Sequence, residues 1–418
     1  GKKSEHLLLL TATPHNGYTD TFCSLLKVLD VGAVAGSDHK PVLKREIAKK
    51  HICQRRRKDV IDAFKREDGS NPFPERDTKE IYITPSPLER DLYENVDRLG
   101  NHILHASGLE TAFQQVLAKW TVTHLHKRAL SSPGAFRSSL RNRLRRLKAS
   151  DAEITLTEEE ARSQVLDKDT GERVDDEEAS TRMDRLIWGD GNALEKEIKI
   201  VKELIEDAKK LTPRRDSKLD KLLNYGLPEL LEKDSKVIIF TRYRDTLKYL
   251  EREIPRHPKH KGLKIFSMDG TLNTSARRER LQQFGNARKA VLVATDCISE
   301  GMNLQRYSAQ LVHYELPWNP NRLEQRNGRV DRYGQKRMST VSIRTMVVED
   351  SLEAGILTVL VKKANQIRED EGFSPPFFGD NLSVLDLIRD QGIDVSIGQT
   401  KLDAFCEGLS KEKVDIQP

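Results

Sequence analysis

Five short apolar or β-rich runs, at residues 237–240, 263–266, 290–294, 310–314 and 341–346, follow one another after Pro213, and each of the first four precedes a segment with helical spacing. Strands this apolar are covered on both faces, and strands that alternate with helices make a parallel sheet. The expected fold class is therefore α/β, with helices on both faces of the sheet. Its functional loops belong at the carboxyl ends of the strands.

Upstream the pattern is less regular. Residues 7–10 are four leucines, read as a buried strand that Pro14 and Asn16-Gly17 break into a loop. Helical spacing appears from Tyr18 to about Asp30 and from Ile52 to Phe64, the latter around the basic cluster Arg55-Arg56-Arg57-Lys58. Residues 79–84 alternate as a strand, and Pro85-Ser86-Pro87 hands over to a helix from Leu88 to about Leu104. From about 108 to 212 the chain turns to charge, first a basic helix with Arg137, Arg141, Arg143, Arg145, Arg146 and Lys148, then an acidic stretch from Asp151 to Glu178. Most of these charges read as solvated surface, the basic helix alone carries an expectation of DNA contact, and the acidic part has the composition of a weakly ordered segment. The resulting division is 1–107, 108–212 as a charged helical insertion, 213–349 as the main lobe and 350–418 as a helical extension.

At 418 residues, 33% charged and 37% hydrophobic, the chain can build several ordinary cores. No apolar run approaches the ~20 residues that cross a bilayer. Cys23, Cys53, Cys297 and Cys406 form no C-x-x-C pair, which argues against a zinc site or disulfide framework and for a reducing cytoplasm. A net charge of +6 suits a polyanionic partner without requiring one. Gly1 lacks a preceding methionine and a strand-like run follows within a few residues, so the expectation is a chain cut inside a domain.

The strongest chemical feature is Gln325-Arg326-Asn327-Gly328-Arg329-Val330-Asp331-Arg332. Arginines three apart on a helix share a face, and a guanidinium can meet phosphate oxygens through parallel N–H bonds as charge builds on a transferring phosphoryl group. The bland alternative is a polar surface helix. Upstream, a strand opens into Thr295-Asp296-Cys297-Ile298-Ser299-Glu300-Gly301-Met302-Asn303, where hydroxyls and a glycine would let a ligand approach the backbone. Thr241-Arg242 and Asp269-Gly270-Thr271 end two further strands, so four strand ends present polar or glycine residues on one edge.

In this order and spacing the segments resemble the C-terminal motifs of superfamily-two helicases. Thr11-Ala12-Thr13-Pro14 is similar to the motif that closes the first RecA-like lobe. The basic cluster, the Pro-rich segment 71–75, Asp216-Ser217-Lys218-Leu219 and Tyr333-Gly334-Gln335 look like the Swi/Snf branch, and within it RapA-like proteins, which translocate on duplex DNA. The resemblance implies a RecA-like sheet, the tail end of a first lobe and a helical insertion. It also implies ATP and Mg2+ as cofactors, with Mg2+ held on the first lobe, and double-stranded DNA and that lobe as partners. Arg329 and Arg332 would be arginine fingers, with Gln325 arranging the ATP cleft. Glu300, Gly301 and Asn303 would lie beside the nucleotide. Thr241, Arg242, Gly270 and Thr295 would contact the tracked strand, and Thr11 and Thr13 would couple ATP state to grip.

Two features of that family are missing from these 418 residues. There is no G-x-x-x-x-G-K-[ST] and no D-E-x-H, since Asp176-Glu177 lies in the acidic stretch with no apolar strand before it. His15-Asn16 also stand where related motifs often place a glutamine. The expectation is the C-terminal half of an ATP-dependent duplex-DNA translocase, inactive by itself. A nucleic-acid-binding or regulatory module incapable of hydrolysis is the alternative.

Overall fold

The computed structural model describes residues 6–10, 19–37, 40–53, 62–65, 71, 73–106, 112–149, 191–296, 302–317, 320–349 and 351. Its centre is a sheet of six parallel strands, in which β4 (Lys236–Phe240), β6 (Ala290–Ala294) and β7 (Gln310–His313) are buried at every position. β5 (Lys264–Met268) lies at one edge, and β8 (Thr340–Val348) follows β7 on the other side. The order is β3-β8-β7-β4-β6-β5, with β3 spanning Glu75–Ile83.

That last strand corrects the division at residue 107. β3 pairs with β8 in parallel from Glu75 opposite Thr340 to Ile83 opposite Val348, so it extends the main-lobe sheet. It is also longer than the alternation at 79–84 implied, because Arg76 and Asp77 are charged residues with partners inside the fold. Arg344 on β8, fully buried, reaches Asp77 and Glu229, and its hydrogen bond, helped by that of Lys233, holds the Glu229 carboxyl down at about 2 against the effect of burial.

The turns between strands and helices are built from ordinary caps. β4 leads to α9 (Arg244–Glu253) and β5 to α10 (Thr274–Asn286), whose N-cap Asn273 accepts from Ala276 N at 2.9 Å. Before β4, α7 (Ser217–Lys221) runs through a π-helical turn at Leu222–Gly226 into α8 (Leu227–Lys233). Asp216 caps α7 by accepting from Leu219 N at 2.8 Å and also accepts from Tyr249 Oη at 2.9 Å. Leu219, Leu222, Leu230 and Leu250 then cover one face of the sheet, and Phe284, Leu304 and Val330 pack the other.

The insertion is a packed helical layer over its described part. α3 (Pro87–Leu104), started by a capping box between Ser86 and Glu89, packs with α4 (Ala112–Ser131), α5 (Pro133–Leu147) and α6 (Gly191–Lys210) around Val96, Leu99, Leu125, Phe136, Leu140 and Leu204. One of the supposed surface arginines belongs to this core: Arg143 is fully buried and donates to Glu197. A separate small core joins α1 (Thr19–Leu29), the hairpin β1–β2 (Val34–Ser37 and Lys40–Leu43) and α2 (Arg45–His51) through Phe22, Cys23, Leu26 and Ala48.

Residues 7–10 are not a strand, and Leu8 and Leu10 are 79% and 86% exposed. A parallel strand exists only beside ladder partners, and among the described residues none lies there. The expected helix at 52–64 lies largely outside the described residues, apart from a turn at Asp62–Phe64. The acidic stretch and the 350–418 extension lie outside them too, save for Ser351.

Candidate functional site

The carboxyl ends of β4, β5, β6 and β7 are held in register one residue beyond the strands. Thr241 N donates to Ala294 O at 2.9 Å, Thr295 N to Met268 O at 3.0 Å and Tyr314 N to Phe240 O at 2.9 Å. Glu315, buried at the end of β7, gathers this edge: it accepts from Thr241 Oγ1 at 2.9 Å, from Arg242 N at 3.0 Å and from Ser131 Oγ of α4.

Above this edge sits α11 (Pro320–Asn327), fixed by Arg326. Arg326 is 1% exposed; it forks onto both oxygens of Asp296 at 2.5 and 2.9 Å and donates to Glu315 O at 3.2 Å. Its guanidinium lies 5.5 Å from the centre of the Phe240 ring. One side chain thus touches the ends of β4, β6 and β7. Burial opposes ionisation of Asp296, but the charge and hydrogen bonds of Arg326, with Arg322 and Arg242 nearby, outweigh it and hold the carboxyl below its usual range. His313 is pushed the other way, down to about 3, by burial and then by the Arg326 charge. As a neutral ring it donates Nε2–H to Asn327 Oδ1 at 2.8 Å.

The two expected fingers do not share a helix face, because α11 stops at Asn327. Gly328, Val330 and Asp331 still donate backbone N–H groups to carbonyls of Glu324 and Asn327, so residues 328–331 form a tight turn closing the helix. Arg329 is half-buried on that turn, and Arg332 leaves it into solvent. Arg332 Nη1 donates to Asn303 Oδ1 at 3.0 Å, which joins two residues that the sequence placed in one nucleotide cleft. Gln325 is half-buried on α11.

Three further residues hold this turn. Asp331, buried between the two arginines, accepts from Arg76 Nε at 2.6 Å, while Arg76 also forks onto Glu324 at 2.8 and 3.1 Å. Gln335, also buried, donates to Val330 O at 3.1 Å and Ser308 O at 3.2 Å. Gly334 between them takes φ +78, a left-handed conformation that costs glycine little.

The expected strand contacts divide. Thr241 is fully buried with its hydroxyl donated to Glu315, and Thr295 is 7% exposed. Arg242 is half-buried, and Gly270 is exposed on a loop whose Asp269 accepts from Thr271 N at 2.9 Å and Arg244 Nε at 3.0 Å. Thr11, Thr13, Glu300 and Gly301 lie outside the described residues.

Arg76, Glu315, Arg326 and Asp331 were missed as functional positions. Arg326 and Asp331 lay inside the motif itself, but spacing alone ranks all its arginines equally. Arg76 could be found only by knowing that β3 joins this sheet.

The helicase conserved C-terminal domain family matches residues 217–334, the stretch from α7 to Gly334, so this part of the chain is a helicase C-terminal domain. It is 26% identical over 367 residues to the uncharacterized ATP-dependent helicase YqhH of Bacillus subtilis (strain 168), a match covering 86% of this chain and 53% of that protein. It is 34% identical over 142 residues to the RNA polymerase-associated protein RapA of Vibrio campbellii, covering 32% of this chain and 14% of RapA. The chain therefore spans about half the length of the first of these relatives and less of the second. Among solved structures, the Sulfolobus solfataricus SWI2/SNF2 ATPase C-terminal domain aligns with a TM-score of 0.41 and 16% identity, over 75% of this chain and 97% of that one. No described helix of the chain is long and apolar enough to cross a membrane.

Proposed function

We propose that this chain provides the second motor lobe and adjoining helices of an ATP-dependent translocase on double-stranded DNA. Arg329 and Arg332 act as its arginine fingers. The contact between Arg332 and Asn303 carries the reading: it joins a solvent-facing cation to the loop beyond β6, with only a neutral carboxamide to be exchanged for a phosphate oxygen. ATP bound on the other lobe would meet these guanidiniums as charge develops on the γ-phosphoryl group. Gln325 lies on α11, just before the turn that carries Arg329, and Glu300 and Gly301 stand three and two positions before Asn303 in the sequence.

The carboxylates of this edge do not fit Mg2+, because Arg326 holds Asp296, Arg76 holds Asp331, and hydroxyl and amide donors hold Glu315. Among the described residues no group of three or more His, Cys, Asp or Glu could hold a metal. The ion would belong to a phosphate-loop lobe, for which the exposed Leu8 and Leu10 offer an apolar contact. Arg242 and Gly270 would touch the tracked strand through its phosphates, without reading sequence.

The test is ATP hydrolysis with and without duplex DNA, by this chain alone and by a form joined to a phosphate-loop lobe. The chain alone is expected to be inactive and the joined form DNA-stimulated. Full activity of Arg329→Ala or Arg332→Ala in the joined form removes the finger role.

A further inference from the structure

α5 and α9 face each other across a groove of about 420 Å³. Arg137, Arg141 and Arg145, four residues apart on α5, line one wall, and Lys248 and Arg252 of α9 line the other. The carboxylate in the groove is Asp245, which already accepts from Arg128 Nη2 at 2.5 Å. Arg252 also donates to Glu253 at 2.5 Å. Like charges gathered this closely repel: burial and then the Arg141 and Arg252 charges hold the Arg137 guanidinium below its usual range. Five cations thus line a groove that holds one carboxylate of its own, with Arg252 also held by Glu253, and an added anion would relieve their repulsion.

The walls are fixed. Ser132 Oγ lies 2.8 Å from Thr246 Oγ1, Arg128 anchors Asp245, and the ring of Tyr243 sits 4.6 Å from the Arg128 guanidinium. The helix backbones that carry the arginine stripe are therefore held in place before a ligand arrives.

We propose that this groove binds the phosphodiester backbone of duplex DNA, as a contact separate from the strand-end loops. Residues 137–145 of α5 span about 12 Å, a length over which a duplex presents roughly seven phosphates. Arg141 and Arg145 are exposed, so their charges can replace condensed counterions. The groove also starts beside the proposed track, since Asp245 follows Arg242 by three residues and Arg244 holds Asp269 of the Gly270 loop. An apolar rim of the kind a protein partner or lipid surface would use is absent from its lining, where Tyr249 is the one large ring. The inference rests on the reading of this lobe as DNA-tracking.

The experiment is binding of the full chain to a fluorescent 30-base-pair duplex across a salt series without nucleotide, comparing wild type, the double variant Arg141→Ala/Arg145→Ala, and Arg242→Ala. Both groove arginines are exposed, so the double variant should keep the wild-type melting temperature. It is expected to bind about tenfold more weakly at low salt, with a log–log salt slope shallower by about 2. Unchanged affinity and slope in the double variant, with binding weakened by Arg242→Ala, overturn the groove and leave the lobe's DNA reading intact. A wild type without salt-dependent duplex binding overturns both. Displacement of the duplex by poly-glutamate at equal charge concentration overturns the choice of nucleic acid over an acidic protein.

Discussion

Arg76 and Asp331 stand 255 positions apart in the chain and meet at 2.6 Å, Nε to Oδ2, where the start of β3 meets the turn that closes α11. The Asp331 side chain is fully buried and that of Arg76 is 9% exposed. Burial works against the Arg76 charge, yet Glu324 and Asp331 together raise its affinity for a proton above the ordinary arginine value. Removing the cation would leave a buried carboxylate without its salt bridge, which costs on the order of 3–5 kcal/mol. Arg76→Met should therefore lower stability by about that much in urea titration, and Arg76→Met/Asp331→Asn should recover part of the loss. A double variant no more stable than Arg76→Met would show that the pair is not coupled.

Gly334 predicts a smaller effect at the same turn. Its φ of +78 strains any residue with a Cβ, by roughly 1–2 kcal/mol, although an added Cβ would meet no atom within 4 Å. Gly334→Ala should destabilise by about that amount, and Gly334→Asn by less because asparagine tolerates this region better. Equal losses for both would point to packing, which the open space around Gly334 does not offer.

Burial shifts two ionisable groups in opposite directions. Asp216, pushed up to about 6, binds a proton more readily folded than unfolded, so its contribution to stability falls as pH rises from about 4 to about 6. His313, pushed down to about 3, resists the proton that the unfolded chain takes up near 6.5, so its contribution falls as pH drops from about 6.5 toward 3. The two slopes oppose each other between about pH 4 and 6. Asp216→Asn should make stability rise more steeply with pH across that interval, and His313→Gln should make it rise less, each by at most about 1.4 kcal/mol per pH unit. Urea titrations at pH 4.5, 5.5 and 7 measure the slopes, and slopes equal to wild type in both variants would contradict the assigned directions.

Helix packing in the insertion gives a fourth case. An added Cβ at Gly100 would lie 2.7 Å from Val122 Cγ1, so α3 and α4 approach too closely there for a larger residue. Gly100→Ala should cost about 1–3 kcal/mol through overpacking, despite alanine's better helix propensity. Pairing it with Val122→Ala should relieve most of that cost, as measured by thermal unfolding.

The parallel sheet was readable because β4, β6 and β7 are buried on both faces, and such strands leave apolar runs too short for helices. β3 escaped assignment to the same sheet because its exposed and half-buried residues, Arg76 and Asp77 among them, carry no mark of which sheet they join. The four leucines at 7–10 misled for the converse reason: apolarity signals burial, but a strand also needs neighbours. In the site, motif order set Asn303 and Arg332 near each other, and the two side chains are hydrogen-bonded. Thr241 was read as a tracked-strand contact from the family resemblance, and nothing local in the sequence announces that its hydroxyl donates to Glu315. Residue type fixes what a side chain can bond, whereas the choice of partner comes from strand order.

That distinction separates the arginines of the finger motif. Arg326 is 1% exposed and bonded to Asp296 and Glu315, so Arg326→Ala should destabilise the lobe by on the order of 3–5 kcal/mol and lose activity through misfolding. Arg332 is exposed and bonded to Asn303 alone among the contacts described, so Arg332→Ala should change stability by no more than about 0.5 kcal/mol. If Arg332 completes the ATP site, the same substitution should lower the turnover of a lobe-joined form by roughly a thousandfold, with duplex DNA binding unchanged. Urea titration, turnover and DNA affinity measured on the two variants separate the roles. Loss of stability in Arg332→Ala comparable to that in Arg326→Ala would make Arg332 a structural residue, and its place outside the packed core argues against that outcome.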